Sequence, residues 1–128
     1  MNREIKFRAF DKETKTMTDW EMMDERRNFH KLLSLSHVDV MQYTGLKDRN
    51  GKEIYEGDIL TDKDKNITIV VWIDEWAMFG CMFHDEWELY RLKGVKEIDE
   101  SMFWTFPIEN NQLQVIGNIH ENNITKTI

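Results

Sequence analysis

The chain has 128 residues, a length that fits one domain with or without a small appended lobe. Apolar residues make up 41% of it, charged residues 32% and aromatic residues 12%, a composition that excludes a disordered chain. The net charge is −7 and uneven: residues 1–55 carry 11 basic and 10 acidic side chains (11 − 10 = +1), and residues 56–128 carry 6 and 14 (6 − 14 = −8). Because phosphate-backbone binding depends on clustered Lys and Arg, this balance argues against nucleic acid as a partner.

The composition also indicates the cellular compartment of the protein. Cys81 is the single cysteine of the chain, so no disulfide can form within it, as is typical of a protein in a reducing cytoplasm. The beginning of the sequence lacks the apolar region of a signal peptide, and no apolar run approaches the ~18 residues of a membrane span. We therefore expect a protein of a reducing cytoplasm that makes no membrane contact.

Residues 3–10 predict the first strand, because apolar and charged side chains alternate along them. The apolar set is Ile5, Phe7 and Ala9, and the charged set is Glu4, Lys6 and Arg8. A period of two is typical of a half-buried strand. The first hairpin is basic, with cations at Arg3, Lys6, Arg8, Lys12 and Lys15. We expect these cations to face water or to pair with the acidic second half, and contact with nucleic acid is the alternative.

Residues 18–35 permit two interpretations. Thr18 and Glu21 have the spacing of a capping box, and several apolar residues after them share one helical face, which favours a helix of about 15 residues. Two short strands are the alternative.

Two short motifs predict turns. Asn50 and Gly51 form a pair typical of a hairpin turn, because such a pair readily adopts the positive φ angles of tight turns. Glu56, Gly57 and Asp58 then interrupt a strand, and glycine between two acids predicts a bulge or a close backbone approach. We interpret Asp58 as an acceptor for backbone N–H groups that fixes where the next strand begins, and a functional role for this acid is the alternative.

From residue 57 onward the pattern predicts a small barrel. Residues 67–73 are β-branched and almost entirely apolar, which is typical of a central strand, while residues 86–92 fit either a strand or a helix. Short strands at this spacing are typical of a small barrel or sandwich, and an SH3-like barrel of five strands fits about 65 residues. The predicted protein is mainly β, with a β-rich lobe over 1–55, an SH3-like barrel over 56–122 and a frayed tail over 123–128.

The predicted barrel core cannot hold all the aromatic side chains on and near the central strand. Its alternation predicts an inward set consisting of Ile67, Ile69, Val71 and Ile73. Val70 and Trp72 then face outward, and a five-stranded barrel is too narrow to hide a second apolar layer. Either the front lobe covers these side chains or they belong to an interface. Trp76 and Trp87, near predicted turns, add to the surplus. We predict an interaction surface at Trp72, Trp76 and Trp87, with a second copy of the chain as one partner.

The sequence contains none of the motifs that mark a catalytic or cofactor site. The histidines are scattered, and Cys81 and His84 would point to opposite faces of a strand. Acid pairs such as Asp74 and Glu75 lie in predicted turns, where solvated acids are ordinary. We therefore predict that the protein is not an enzyme and has no catalytic, cofactor or metal site.

Three segments of the chain resemble segments of a known protein family. They read REIKFRAFD over residues 3–11, MQYTGLKDRNGKEIYEGDI over 41–59 and VIGNIHEN over 115–122. On them the chain resembles the YopX-like proteins, found mostly in phages and prophages of bacteria. Phe10 stands where that family usually has Trp, and His120 where it more often has Tyr. The resemblance implies an SH3-like barrel behind a smaller β-rich lobe, and it implies no activity, because the family's biochemical role is unassigned.

These observations favour a non-catalytic protein-interaction module that serves as an accessory protein of a phage or prophage. Its expected partners are a second copy of the chain and a host or phage protein. The alternative is a nucleic-acid-associated small barrel, or an inhibitor that mimics DNA through its acidic face.

Overall fold

The computed structural model describes residues 4–23, 29–93, 103–105 and 112–121 of the chain. The first half contains four strands: β1 (Phe7–Asp11), β2 (Thr16–Thr18), β3 (Val38–Lys47) and β4 (Glu53–Tyr55). They form an antiparallel sheet in the order β2-β1-β3-β4. The strand predicted over residues 3–10 is thus confirmed from Phe7 onward.

The second half forms a five-stranded antiparallel sheet. Its strands are β5 (Asp58–Thr61), β6 (Ile67–Ile73), β7 (Met78–Phe83), β8 (Phe103–Thr105) and β9 (Gln114–Asn118). Their order is β8-β7-β6-β5-β9, so the predicted central strand β6 does lie in the middle of the sheet. The sheet curls into a half-barrel, and the predicted mainly β fold with a small barrel is confirmed. The division at residues 55 and 56 stays a prediction, and the tail over 123–128 lies outside the described residues.

Short helical segments complete the described fold. They are a 3-10 turn (Trp20–Met22), helix α1 (Phe29–Ser34), a second 3-10 turn (Asp74–Trp76) and helix α2 (His84–Lys93). Segment 86–92, which fitted strand or helix, is therefore helical. No helix within the described ranges has the length and apolar character needed to cross a membrane.

The helix predicted over residues 18–35 is wrong in its first part. Thr18 is the last residue of β2 and pairs with Ala9, so it does not cap a helix. Asp19 precedes the 3-10 turn and makes no side-chain cap hydrogen bond. Strand pairing with β1 thus outweighs the local capping signal. Residues 24–28 lie outside the described part of this segment.

Two apolar clusters lie on the two faces of the second sheet. The first contains Ile54, Leu60, Val70, Cys81, Leu113 and Val115, and the second contains Ile73 and Met82 with Val71, Trp76 and Trp87 around them. Val70 is covered in part by the front lobe, as one of the two alternatives predicted, because Ile54 of β4 and Leu113 pack with it and leave it 1% exposed. The first sheet therefore supplies the second apolar layer that the barrel cannot hold by itself.

Candidate functional site

Arg8 and Asp58 form a buried ion pair between the two sheets. Nη2 of Arg8 donates to Oδ1 of Asp58 at 2.8 Å and to the backbone carbonyl of Glu56 at 3.3 Å. The second carboxylate oxygen of Asp58, Oδ2, accepts the backbone N–H of Tyr55 at 2.7 Å. This acid therefore sets the start of β5 and also neutralises a cation of β1.

The surroundings of this pair are largely buried and include an aromatic ring. Burial raises the pKa of Asp58, and the Arg8 guanidinium opposes that shift. The pKa of Glu56 is also raised by burial, against a hydrogen bond from the backbone N–H of Gln42. Cζ of Arg8 lies 4.8 Å from the centroid of the Tyr55 ring. Buried Nε of Arg8 has no hydrogen-bond partner among the described residues.

Lys6 extends the buried charge of the first strand. Its Nζ pairs with the carboxylate of Glu53 and lies 3.1 Å from that of Glu4, and both acids raise the pKa of Lys6. The same ammonium lies 4.9 Å from the centroid of the Tyr43 ring. Lys6 and Arg8 are each only 9% exposed, so the strand is more than half-buried at these residues. The expected pairing of hairpin cations with the acidic second half is confirmed for Arg8, through Asp58. Two cations of the basic hairpin are therefore paired with acids inside the protein.

Gly57 lies where three strands approach one another. Its N–H donates to the carbonyl of Val70 at 2.8 Å, and its own carbonyl accepts the N–H of Ile119 at 3.0 Å. The φ angle is +87°, and a Cβ atom added here would lie 3.0 Å from Sδ of Met41. Both the backbone conformation and the space therefore favour glycine.

Asp48 connects the turn at Asn50 and Gly51 to the last strand. Its Oδ1 accepts the N–H groups of Asn50 at 2.8 Å and Lys52 at 2.9 Å, and its Oδ2 accepts the N–H of Val115 at 2.9 Å. Burial acts to raise the pKa of Asp48, but the three backbone donors outweigh it and lower the pKa. Sequence reasoning missed this residue, although an Asp two residues before Asn50 is typical of an Asx turn.

The structure does not bring the three predicted tryptophans onto one surface. Trp72 is 45% exposed and meets Phe79 edge-on, with 5.0 Å between ring centroids. Trp76 and Trp87 are half-buried and pack against the cluster that contains Ile73. Trp72 and Ile73 are neighbours on β6, so their side chains point to opposite faces. Trp72 thus stands apart, while Trp76 and Trp87 contribute to the core.

A second aromatic group lies on the first sheet. Phe7, Trp20 and Phe29, hereafter the outer aromatic triad, contact one another, with centroid separations of 4.8 Å (Phe7–Phe29), 5.9 Å (Phe7–Trp20) and 6.1 Å (Trp20–Phe29). Sequence reasoning did not assign it as a site. The available signal was the apolar face of β1 together with the aromatic residue that begins α1.

Asp11, Glu13 and His37 are described residues whose ligand atoms could hold a cation. One ligand atom from each lies within 4.8 Å of the others. Oδ1 of Asp11 accepts the N–H groups of Thr14 and Glu13 at 3.1 Å and 2.9 Å, and these hydrogen bonds lower the pKa of Asp11. Exposed acids often group in this way without an ion, and the expected absence of a metal site stays a prediction.

Comparison with known proteins identifies the family. No curated protein matches the chain. The pattern of the family described as YopX protein matches residues 6–124, which is nearly the whole chain. The chain belongs to the YopX family. A crystal structure of protein EF1440 from Enterococcus faecalis is similar, with a TM-score of 0.58 and 23% identity over 94% of this chain and 96% of that one. At this identity the likeness shows the fold alone.

The three segments that carry the YopX resemblance meet in space. Arg8 of the first segment pairs with Asp58 of the second, and Asp48 of the second accepts the N–H of Val115 in the third. The first and third segments also meet, because the rings of Phe10 and His120 stack with their centroids 4.5 Å apart.

Proposed function

We propose that this YopX protein is a non-catalytic protein-interaction module of a phage or prophage, and that one of its partners is a second copy of the chain. The observation that carries the proposal is the exposed indole of Trp72 on the central strand of the second sheet. Large aromatic side chains of this kind are enriched at the centres of protein interfaces. Membership of the YopX family supports the accessory role.

The chemistry of the buried groups supports binding rather than catalysis. Asp58 is occupied by Arg8, and Asp48 is occupied by three backbone N–H groups. The thiol of Cys81 is fully buried, and burial raises its pKa to about 12. A catalytic thiol needs a thiolate near neutral pH, and a general base needs access to a substrate proton. These groups instead hold the fold together.

The surroundings of Trp72 suit contact between two copies. Phe79 supports the indole on the same face, and the exposed acids Asp74 and Glu75 follow directly after β6. A two-fold contact would place the aromatic pairs at the centre and these acids at the rim. The net charge of −7 opposes such a contact, so added salt should strengthen it by screening the repulsion.

Light scattering after size exclusion tests the proposal. We expect the wild type at about 100 μM to form a dimer that tightens with salt. Trp72→Ala should be monomeric and still fold, because this side chain lies at the surface and belongs to neither buried apolar cluster. Leu89→Ala is the matched control, since Leu89 is also an exposed apolar residue but lies on α2, and it should dimerise like the wild type.

Two results would contradict self-association through Trp72. One is a wild type that stays monomeric at every salt concentration. The other is a Trp72→Ala variant that remains a dimer while folded.

A further inference from the structure

A small cavity lies beside the buried pair of Arg8 and Asp58. It has a volume of about 210 Å³, which is below the roughly 300–1,000 Å³ of pockets for drug-sized ligands, so it suits a smaller molecule. Its lining is polar, with two buried residues followed by four nearer to solvent: Arg8, Tyr55, Glu53, Asp19, Glu21 and Lys52.

Arg8 brings hydrogen-bond donors to this cavity that the described residues do not use. Both described hydrogen bonds of its guanidinium start from Nη2, one to Asp58 and one to the carbonyl of Glu56. Buried Nε has no partner among the described residues, and an unmatched buried donor costs free energy. A ligand with an acceptor group in the cavity would match the donors that remain.

The guanidinium is held in place without a ligand. Asp58 accepts from Nη2 at 2.8 Å, and the centroid of the Tyr55 ring lies 4.8 Å from Cζ of Arg8. The Arg8 side chain is only 11% exposed. Binding therefore requires little further ordering of Arg8, which favours affinity for a small ligand.

The rim of the cavity carries charges of both signs. Lys52, Asp19 and Glu21 are exposed, and within the described ranges no ion pair joins this lysine to either acid. The other acid of the lining, Glu53, already pairs with Lys6. The three exposed rim groups therefore keep their charge for a ligand.

The outer aromatic triad positions the acidic side of the rim. Trp20 stands between Asp19 and Glu21 in the sequence, and its ring contacts the other two members of the triad. Burial raises the pKa of Tyr55 to about 12, and the negative charges of Glu53 and Glu21 add to this shift. Glu21 is therefore close enough to Tyr55 to act on the interior of the cavity.

We propose that this cavity binds a small zwitterion of the amino-acid class, with its carboxylate toward Arg8 and Lys52 and its ammonium toward Asp19 and Glu21. Both ends would make charge-assisted hydrogen bonds, which are the stronger kind. A simple cation would leave the Arg8 donors unmatched and would face Lys52, whereas a simple anion would face the two acids. The site is separate from the contact proposed at Trp72.

The probes are the common L-amino acids, tested singly at about 10 mM in thermal melts of the full chain. We expect at least one of them to raise the melting temperature, because a ligand that binds only the folded state stabilises it. The Nε–H signal of Arg8 in a ¹⁵N–¹H correlation spectrum reports on the cavity directly. It should move during titration with that amino acid.

Two analogues of the amino acid that binds test the recognition of each end. The corresponding amine lacks the carboxylate, and the N-acetyl derivative lacks the ammonium. Each should bind at least about tenfold more weakly than the parent amino acid, because each loses one set of charge-assisted contacts.

Variants at the rim test the residues that the proposal assigns. Asp19→Asn/Glu21→Gln should weaken binding at least about tenfold, and Lys52→Gln should also weaken it. Asp74→Asn/Glu75→Gln is the matched control, because it removes the same two charges at the second 3-10 turn, and it should bind like the wild type.

Trp72→Ala separates this proposal from the dimer. It should bind the amino acid like the wild type whether or not it dimerises, so failure of one proposal is distinguishable from failure of the other.

Two results would overturn the inference. If no amino acid raises the melting temperature or moves the Arg8 Nε–H signal, water alone satisfies this guanidinium. If Asp19→Asn/Glu21→Gln or the N-acetyl analogue leaves the affinity unchanged, the acids of the rim take no part in binding and the cavity does not recognise a zwitterion.

Discussion

The guanidinium of Arg8 lies 2.8 Å from the carboxylate of Asp58, although the two residues are 50 positions apart in the chain. Their side chains are 11% and 2% exposed, so little water reaches the pair. Because Asp58 also accepts the N–H of Tyr55, one carboxylate joins β1, the end of β4 and the start of β5. This contact holds the first sheet against the barrel.

Removal of the arginine should strongly destabilise the protein. Arg8→Met leaves the Asp58 carboxylate buried without its cation, and breaking such a pair costs about 3–5 kcal/mol. Urea denaturation monitored by tryptophan fluorescence measures the change. The exposed Lys12→Met is the matched control and should change the free energy of unfolding by less than about 0.5 kcal/mol.

A double variant checks the cause. Asp58→Asn combined with Arg8→Met removes the unpaired charge but keeps an acceptor for Tyr55, so it should be more stable than Arg8→Met alone. If the double variant lost as much free energy of unfolding as the two single variants added together, charge burial would not be the cause of the destabilisation by Arg8→Met.

Gly57→Val should destabilise by more than about 1 kcal/mol, since φ is +87° and the new Cβ would press on buried Met41. Gly45→Val is the control: its φ is +90°, but a Cβ there meets nothing within 4 Å. The comparison separates backbone strain from the clash. If both variants lowered the melting temperature equally, the claim that a side chain at residue 57 clashes with Met41 would be refuted.

Glu56→Gln should stabilise the protein at neutral pH. Burial raises the folded-state pKa of Glu56 above its ordinary value of 4.5, so the folded protein favours the protonated form. Because the folded protein favours protonated Glu56, this residue stabilises the fold fully below its ordinary pKa. That stabilisation is lost as the pH rises through the folded-state pKa. Glutamine keeps an acceptor for the Gln42 N–H and avoids that loss, so the variant should exceed the wild type at about pH 7 and match it at about pH 3.5.

Denaturation curves at a series of pH values measure this difference. Glu75→Gln, at an exposed residue, is the control and should change the free energy of unfolding by less than about 0.5 kcal/mol at neutral pH. A Glu56→Gln variant less stable than the wild type at neutral pH would contradict the direction of the shift.

Asp48→Ala should cost about 2 kcal/mol or more, because three backbone N–H groups lose their acceptor and one of them belongs to β9. Asp62→Ala is the control, since Asp62 accepts the N–H groups of Asp64 and Asn66 in an exposed local turn. It should cost less. Hydrogen exchange of the Val115 amide should quicken only in Asp48→Ala, and equal protection in both variants would refute this role of Asp48.

Local sequence chemistry was sufficient for several elements. The β-branched run at 67–73 defines a strand, and the glycine at 57 marks a break, because propensity and turn geometry act within a few residues. Alternation also placed Phe7 and Ala9 on one face of β1. The mainly β class and the small barrel follow from the spacing of such segments.

The tertiary structure decided which faces are covered. Alternation alone assigned Lys6 and Arg8 to the outside of β1, and Val70 to the outside of β6. Lys6 and Arg8 are instead buried by acids and tyrosines from β3, β4 and β5, and Val70 is covered by Ile54 and Leu113. A periodic pattern distinguishes the two faces of a strand, but the partner that covers each face comes from residues distant in the chain, so burial depends on how the two sheets pack.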